Sequence, residues 1–89
     1  MINYTDMNTQ IKVSFKNGLT ITLNKGMKGL ENADKNRKLY ILFRDGDSII
    51  DVIVMEIMHT LKIVRFSKID FSSSYRIPFD DILGWCYTD

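Results

Sequence analysis

The sequence predicts an α+β domain: a small antiparallel sheet of about five strands carrying one packed helix. Three stretches lead there. "QIKVSFKNGLTITLN" alternates apolar and polar residues on both sides of Asn17-Gly18, the mark of a β-hairpin. "LYILFR", Leu39 to Arg44, is a short apolar run of β-prone residues stopped by Asp45-Gly46. In "SIIDVIVMEIMHTLKIVRF", Ile50, Ile53, Val54, Ile57, Met58 and Leu61 fall at helical spacing, with Asp51, Glu56, His59 and Lys62 off that stripe.

Taken in order, the chain is expected to form one globular domain over 1–89, with residues 1–9 as its flexible part. In the hairpin, Val13 and Phe15 alternate with Lys12, Ser14 and Lys16, and Leu19, Ile21 and Leu23 alternate with Thr20 and Thr22. This gives one apolar face, and Asn17 and Gly18 are expected to be the two left-handed residues of a tight turn. From Lys25 to Lys38 the alternation gives way to Gly, Asn and charge, which reads as a surface loop with one helical turn near Leu30 to Asp34. Leu39 to Arg44, apolar on both faces, is expected at the centre of the sheet.

The segment 48–66 has two readings. Its β-branched cluster favours a strand. As a single strand its 19 residues would run about 60 Å, and no Gly, Pro or Asn marks a turn to break it. A helix over 48–60, opened by the capping-box-like Ser48-x-x-Asp51, followed by a strand over 62–66 removes that difficulty. The competing all-β reading makes this segment a long hairpin in a barrel of SH3 or Sm-like kind, whose opening hairpin "VSFKNGLTITL" loosely resembles. After the loop or edge segment "SKIDFSSS", Tyr75 to Ile77 reads as a strand. "PFDDIL" reads as one helical or 3-10 turn with Asp80 and Asp81 at its positive end, and "WCY" as a terminal strand.

Composition narrows function mostly by exclusion. Apolar residues make up 45% and charged residues 26% of the chain, as in ordinary globular domains. The single cysteine, Cys86, leaves no intramolecular disulfide and no cysteine-based zinc site, which suits a reducing compartment. "MINYTDMNTQ" has no secretory pattern, and Asp51, Glu56 and His59 interrupt the longest apolar stretch, so a cytoplasmic protein away from membranes is expected. Charge is uneven along the chain. Residues 12–44 hold eight Lys or Arg against Glu31 and Asp34, whereas residues 45–89 hold four against eight acids.

No catalytic residue, metal or cofactor is assigned. Asp80 and Asp81 are adjacent and must diverge, so they make a poor acid/base dyad. "DGDSIID", Asp45 to Asp51, places its glycine wrongly for a calcium loop. His59 is the one imidazole and Cys86 the one thiol, and a nucleophilic pair would need the two to meet. "NKGMKG" contains the GxxG spacing of KH domains, but after a strand rather than between helices. Lys25, Lys28, Lys35, Arg37 and Lys38 on this loop could instead follow a phosphate backbone, making nucleic-acid binding the alternative function.

The favoured function is a non-enzymatic binding module acting on a protein partner. Trp85, Tyr87 and Tyr75, with Asp80 and Asp81, form the candidate partner-binding group, because aromatics concentrate in interface hot spots. For Trp85 a core plug is the stronger expectation. In length, in its Lys/Asn/Ile/Asp-rich style and in lacking a catalytic motif, the chain resembles small phage accessory proteins. Some of those inhibit host defence systems such as CRISPR effectors. The resemblance is of type, covers no aligned motif and carries no functional residue across. It implies an inhibitor or accessory role, in which Asp45, Asp47, Asp51, Glu56, Asp80 and Asp81 could imitate phosphates if folding gathers them.

Overall fold

The computed structural model describes residues 3–44 and 48–88. Its strands are β1 (Asn3–Asp6), β2 (Gln10–Ser14), β3 (Thr20–Lys25), β4 (Leu39–Phe43), β5 (Ser48–Met58), β6 (Ile63–Ser67), β7 (Ser74–Pro78) and β8 (Ile82–Tyr87). They form one antiparallel sheet in the order β1-β2-β3-β8-β4-β5-β6-β7. The only helical segments among the described residues are two 3-10 turns, Leu30–Asn32 and Phe79–Asp81. Among the described residues no helix is long and apolar enough to cross a membrane.

The α+β assignment is therefore overturned, and the helix expected over 48–60 is a strand. β5 keeps its β-branched residues extended by serving two partners. Its first half pairs with β4, Leu39↔Val52 to Phe43↔Ser48, and its second half pairs with β6, Ile53↔Ser67 to Met58↔Ile63. A register shift between Val54 and Glu56 leaves Met55 as the extra residue of a bulge, which bends the strand between its two neighbours. The bulge also resets alternation, so Ile50, Val52, Val54 and then Ile57 all reach the same core. Leu61, which the helical stripe required to be inside, is 65% exposed. The turn after β5 has no Gly or Asn; Lys62 takes the left-handed conformation itself, at φ 56°. The all-β alternative has the right class but not its closure: among the described residues β1 and β7 each have a single neighbour, so the sheet keeps two edges.

The hairpin forms where alternation placed it, with Ile11↔Leu23 and Val13↔Ile21 facing one core. Its turn is longer than the expected two residues. The Gly18 amide donates to the Phe15 carbonyl and the Phe15 amide to the Leu19 carbonyl, at 3.0 and 2.8 Å, enclosing Lys16, Asn17 and Gly18. Gly18 alone is left-handed, at φ 88°, while Asn17 accepts the Leu19 amide on its side chain at 3.0 Å. Residues 3–6, placed within the flexible part by sequence, add β1 to this hairpin.

Two cores lie on opposite faces of β4 and β8. On one face Leu39, Ile41, Ile82 and Trp85 pack against β5, β6, β7 and the loop after β3. On the other, Leu42 packs with Ile11, Val13 and Leu23 of the hairpin, flanked by Tyr40, Leu83 and Cys86. β4 is thus buried on both faces at the centre of the sheet, as its unbroken apolar run predicted. β8 lies between β3 and β4, but pairs with β3 only at Asn24↔Trp85 and Lys25↔Gly84. Beyond those two pairs β3 leaves the sheet plane and the hairpin closes over the second face.

Gly84 is where that crossing is tightest. A Cβ there would stand 2.9 Å from the Asn24 carbonyl oxygen and 3.1 Å from the Leu23 Cβ. Gly84→Ala should therefore cost about 1–3 kcal/mol, the usual penalty for overfilling a packed site, measured by urea unfolding. A variant within about 0.5 kcal/mol of the parent would mean that β3 does not cross β8 this closely.

Candidate functional site

The C-terminal aromatic group is built into the fold. Trp85 is 5% exposed, and its indole N–H donates to the Lys28 carbonyl at 2.8 Å. Gly29 passes so close that a Cβ would lie 3.2 Å from the indole Cζ2. Tyr87 shares the Trp85 face, as strand alternation requires, and meets it edge to face at 5.4 Å. The Tyr87 hydroxyl accepts the Asp34 amide at 3.0 Å, and the Arg37 guanidinium lies 3.6 Å above its ring. These contacts anchor the Lys25–Lys38 loop at both ends, with Leu30 fully buried between them.

That anchoring disperses the basic group. Lys25 pairs with Asp6 at 2.6 Å, Arg37 lies over Tyr87, and Lys38 stands 4.0 Å from Asp51. Lys28 and Lys35 remain exposed. The acids are dispersed in the same way: Asp51 pairs with Lys68 at 2.7 Å, Glu56 with Arg65 at 3.5 Å, and Asp81 stands 3.8 Å from Arg44. The basic and acidic halves of the sequence are interleaved, because β4 of one lies between β5 and β8 of the other. Asp45 and Asp47, with the Asp45-Gly46 strand stop, lie outside the described residues.

Cys86 and His59, the one thiol and the one imidazole, have different surroundings. Cys86 sits against the second core, and burial pushes its thiol pKa up, away from the reactive thiolate. His59 stands exposed in the turn after β5, edge-on to Phe79 at 6.3 Å. Among the described residues no three His, Cys, Asp or Glu gather as metal ligands.

Asp80 and Asp81 lie in the expected 3-10 turn, held by Arg44 just past the end of β4. The Arg44 amide donates to the Asp81 carbonyl at 2.8 Å, and its Nη2 to the Asp80 carbonyl at 3.1 Å. Asp81 and Tyr75 do meet at one feature, a groove of about 380 Å³ along β7 lined by Phe43, Ser74, Tyr75, Arg76, Ile77, Pro78 and Asp81.

The most distinctive surface was not singled out by sequence. The turn from β6 to β7 presents Ile69 at 54% and Phe71 at 68% exposure. Phe71 is left-handed, at φ 60°, a region that bulky side chains avoid. A set of hydrogen bonds holds it there: Phe71 amide to Lys68 carbonyl at 2.9 Å, Lys68 amide to Ser73 carbonyl at 2.9 Å, and Ser72 amide to the Asp70 carboxylate at 3.0 Å. Below them the buried Ser67 hydroxyl donates to the Lys68 carbonyl at 2.8 Å and stands 3.2 Å from that of Ser73. Lys68 is tied to Asp51 across the sheet. The signal available in sequence was two large apolar residues inside an otherwise polar "SKIDFSSS" with an Asp-x-Ser turn former.

No family model, curated protein or solved structure matches the chain.

Hydrogen bonds from Ser72 hold the Asp70 carboxyl below the usual carboxylate range. A depressed folded pKa contributes order that is complete above the unfolded value of about 3.9 and lost as pH falls through the folded pKa. NMR titration should find Asp70 ionising below an unconstrained aspartate, with the Ser72 amide shift following the same midpoint. A normal Asp70 midpoint, or a Ser72 amide indifferent to it, would mean that the turn is not held by this carboxylate.

Proposed function

We propose that this chain is a non-enzymatic binding module that acts on a protein partner. The exposed turn carrying Ile69 and Phe71 is its principal contact. The observation that carries this reading is Phe71, an aromatic side chain 68% exposed on a left-handed backbone. The left-handed conformation costs a non-glycine residue roughly 1–2 kcal/mol, and at this exposure the ring recovers little of it by packing. The turn is nevertheless cross-linked by backbone, Asp70 and Ser67 hydrogen bonds, so the backbone that presents the ring is held in one conformation. Rigid presentation lowers the ordering cost of binding, and aromatic anchors dominate interface energies.

The protonated Cys86 thiol and the separate setting of His59 favour a binding role over catalysis. The role is of the accessory or inhibitor type that the composition resembles, with a phage inhibitor of a host defence complex such as a CRISPR effector as one form of it. An unpaired, half-buried Cys86 suits a reducing cytoplasm.

Phe71→Gly separates binding from folding. It removes the anchor and relieves the left-handed backbone, so the melting temperature should equal or exceed that of the parent. Affinity for the partner captured from the source cells should fall by about 2 kcal/mol or more. Unchanged capture by a folded Phe71→Gly variant would reject the turn as the contact.

A further inference from the structure

The edge of β7 offers a second recognition feature, and its hydrogen-bonding phase can be read from the flanking bonds. The Phe79 amide donates to the Lys62 carbonyl and the Lys68 amide to the Ser73 carbonyl, both at 2.9 Å. In the continuous register between them, Val64↔Ile77 and Phe66↔Tyr75 are hydrogen-bonded pairs, whereas Ile63↔Pro78, Arg65↔Arg76 and Ser67↔Ser74 are not. The backbone N–H and C=O of Ser74 and Arg76, and the C=O of Pro78, therefore point away from β6 to the open edge. Pro78 stands where its missing N–H breaks no ladder bond. The same edge borders the groove that Phe43, Tyr75 and Ile77 line.

Charge specifies what could lie there. Across the exposed face Glu56 stands opposite Arg65, and Arg65 opposite Arg76 in a non-hydrogen-bonded pair, the closer kind. Like charges in that position are destabilising. Glu56 balances Arg65 at 3.5 Å, while no carboxylate among the described residues pairs with Arg76. The next position along this row belongs to whatever pairs with β7.

We infer that β7 recruits an extended segment of the protein partner as an added antiparallel strand. An acidic residue of that segment lies opposite Arg76, and apolar residues on either side of it enter the groove beside Tyr75 and Ile77. Main-chain bonds to Ser74 and Arg76 supply affinity, while the acid and its apolar neighbours supply selectivity, as in other strand-addition modes. A second copy of this chain fits poorly, because a two-fold β7 pairing centred on Arg76 would oppose two guanidinium groups. The inference rests on the protein-binding reading and names the chemistry of the partner.

The probes are two blocked peptides, acetyl-Thr-Val-Glu-Val-Thr-amide and its central-lysine counterpart, titrated into the full isotope-labelled chain to about 1 mM. The glutamate peptide should shift the Ser74 and Arg76 amides and slow their solvent exchange, and should bind at least about tenfold more tightly than the lysine peptide. Arg76→Glu, an exposed change that also removes the like-charge pair with Arg65, should invert that preference. Equal binding of the two peptides, no shift on β7, or a concentration-dependent dimer protecting the same amides would overturn the inference. Phe71→Gly should leave peptide binding intact, which separates the two ideas. Peptide failure with capture still dependent on Phe71 removes only the edge. Peptide success with capture indifferent to Phe71 removes only the turn.

Discussion

The indole of Trp85 is the constraint on which much of this fold depends. An 89-residue chain without a disulfide must make its core from large side chains, and burying an indole leaves an N–H that needs a partner. The Lys28 carbonyl supplies it, which draws the chain after β3 back across β8. Gly29 then has to pass against the ring at φ 80°, and Leu30 drops fully into the core in a single 3-10 turn. Tyr87, two residues further along the strand, catches the returning loop at Asp34 and Arg37. The result fixes β8 between β3 and β4. Trp85 and Tyr87, the aromatic residues most suggestive of an interface, are used internally, and the contacts proposed above lie instead on a turn and a sheet edge.

What the sequence disclosed about the fold was local. Alternation identified the β2–β3 hairpin, the unbroken apolar run identified the central β4, and Pro78 with Asp80 and Asp81 identified the 3-10 turn before β8. β5 departs from the helix that its spacing predicts for a definite reason. Its apolar positions fit a helical stripe because a bulge at Met55 shifts strand alternation by one residue, and a shifted two-residue period resembles a helical one over this length. The missing turn signal had a similar origin, since Lys62 adopts the conformation that Gly or Asn would have announced. Two partners for one strand is a tertiary fact, and it removed the length objection to an extended 48–58.

The surface was less legible than the core. Tyr75 and Asp81 do line one groove, but Trp85 and Tyr87 belong to the core side of β8, and the five basic residues are spread among two ion pairs, a ring contact and solvent. Segmental charge gave no separate faces, because a strand order of β3-β8-β4-β5 threads the acidic half through the basic one. Phe71 and Arg76 carry little signal in sequence, because what sets them apart is backbone conformation and strand position rather than residue type. A phenylalanine in a polar loop is ordinary; one held left-handed and outside is not. An arginine in an edge strand is also ordinary, until its neighbour across the ladder is another arginine whose carboxylate is already taken.

The central claim, that Trp85 closes the structure from within rather than waiting for a partner, is tested most directly by hydrogen exchange at its indole N–H. Bonded to the Lys28 carbonyl and covered by Gly29, this proton should exchange only when the molecule opens globally. Its rate should match the slowest backbone amides of β4 and β8. Exchange at the rate of a solvent-exposed indole, while those amides stay protected, would show that the loop does not hold the ring and would return Trp85 to the surface.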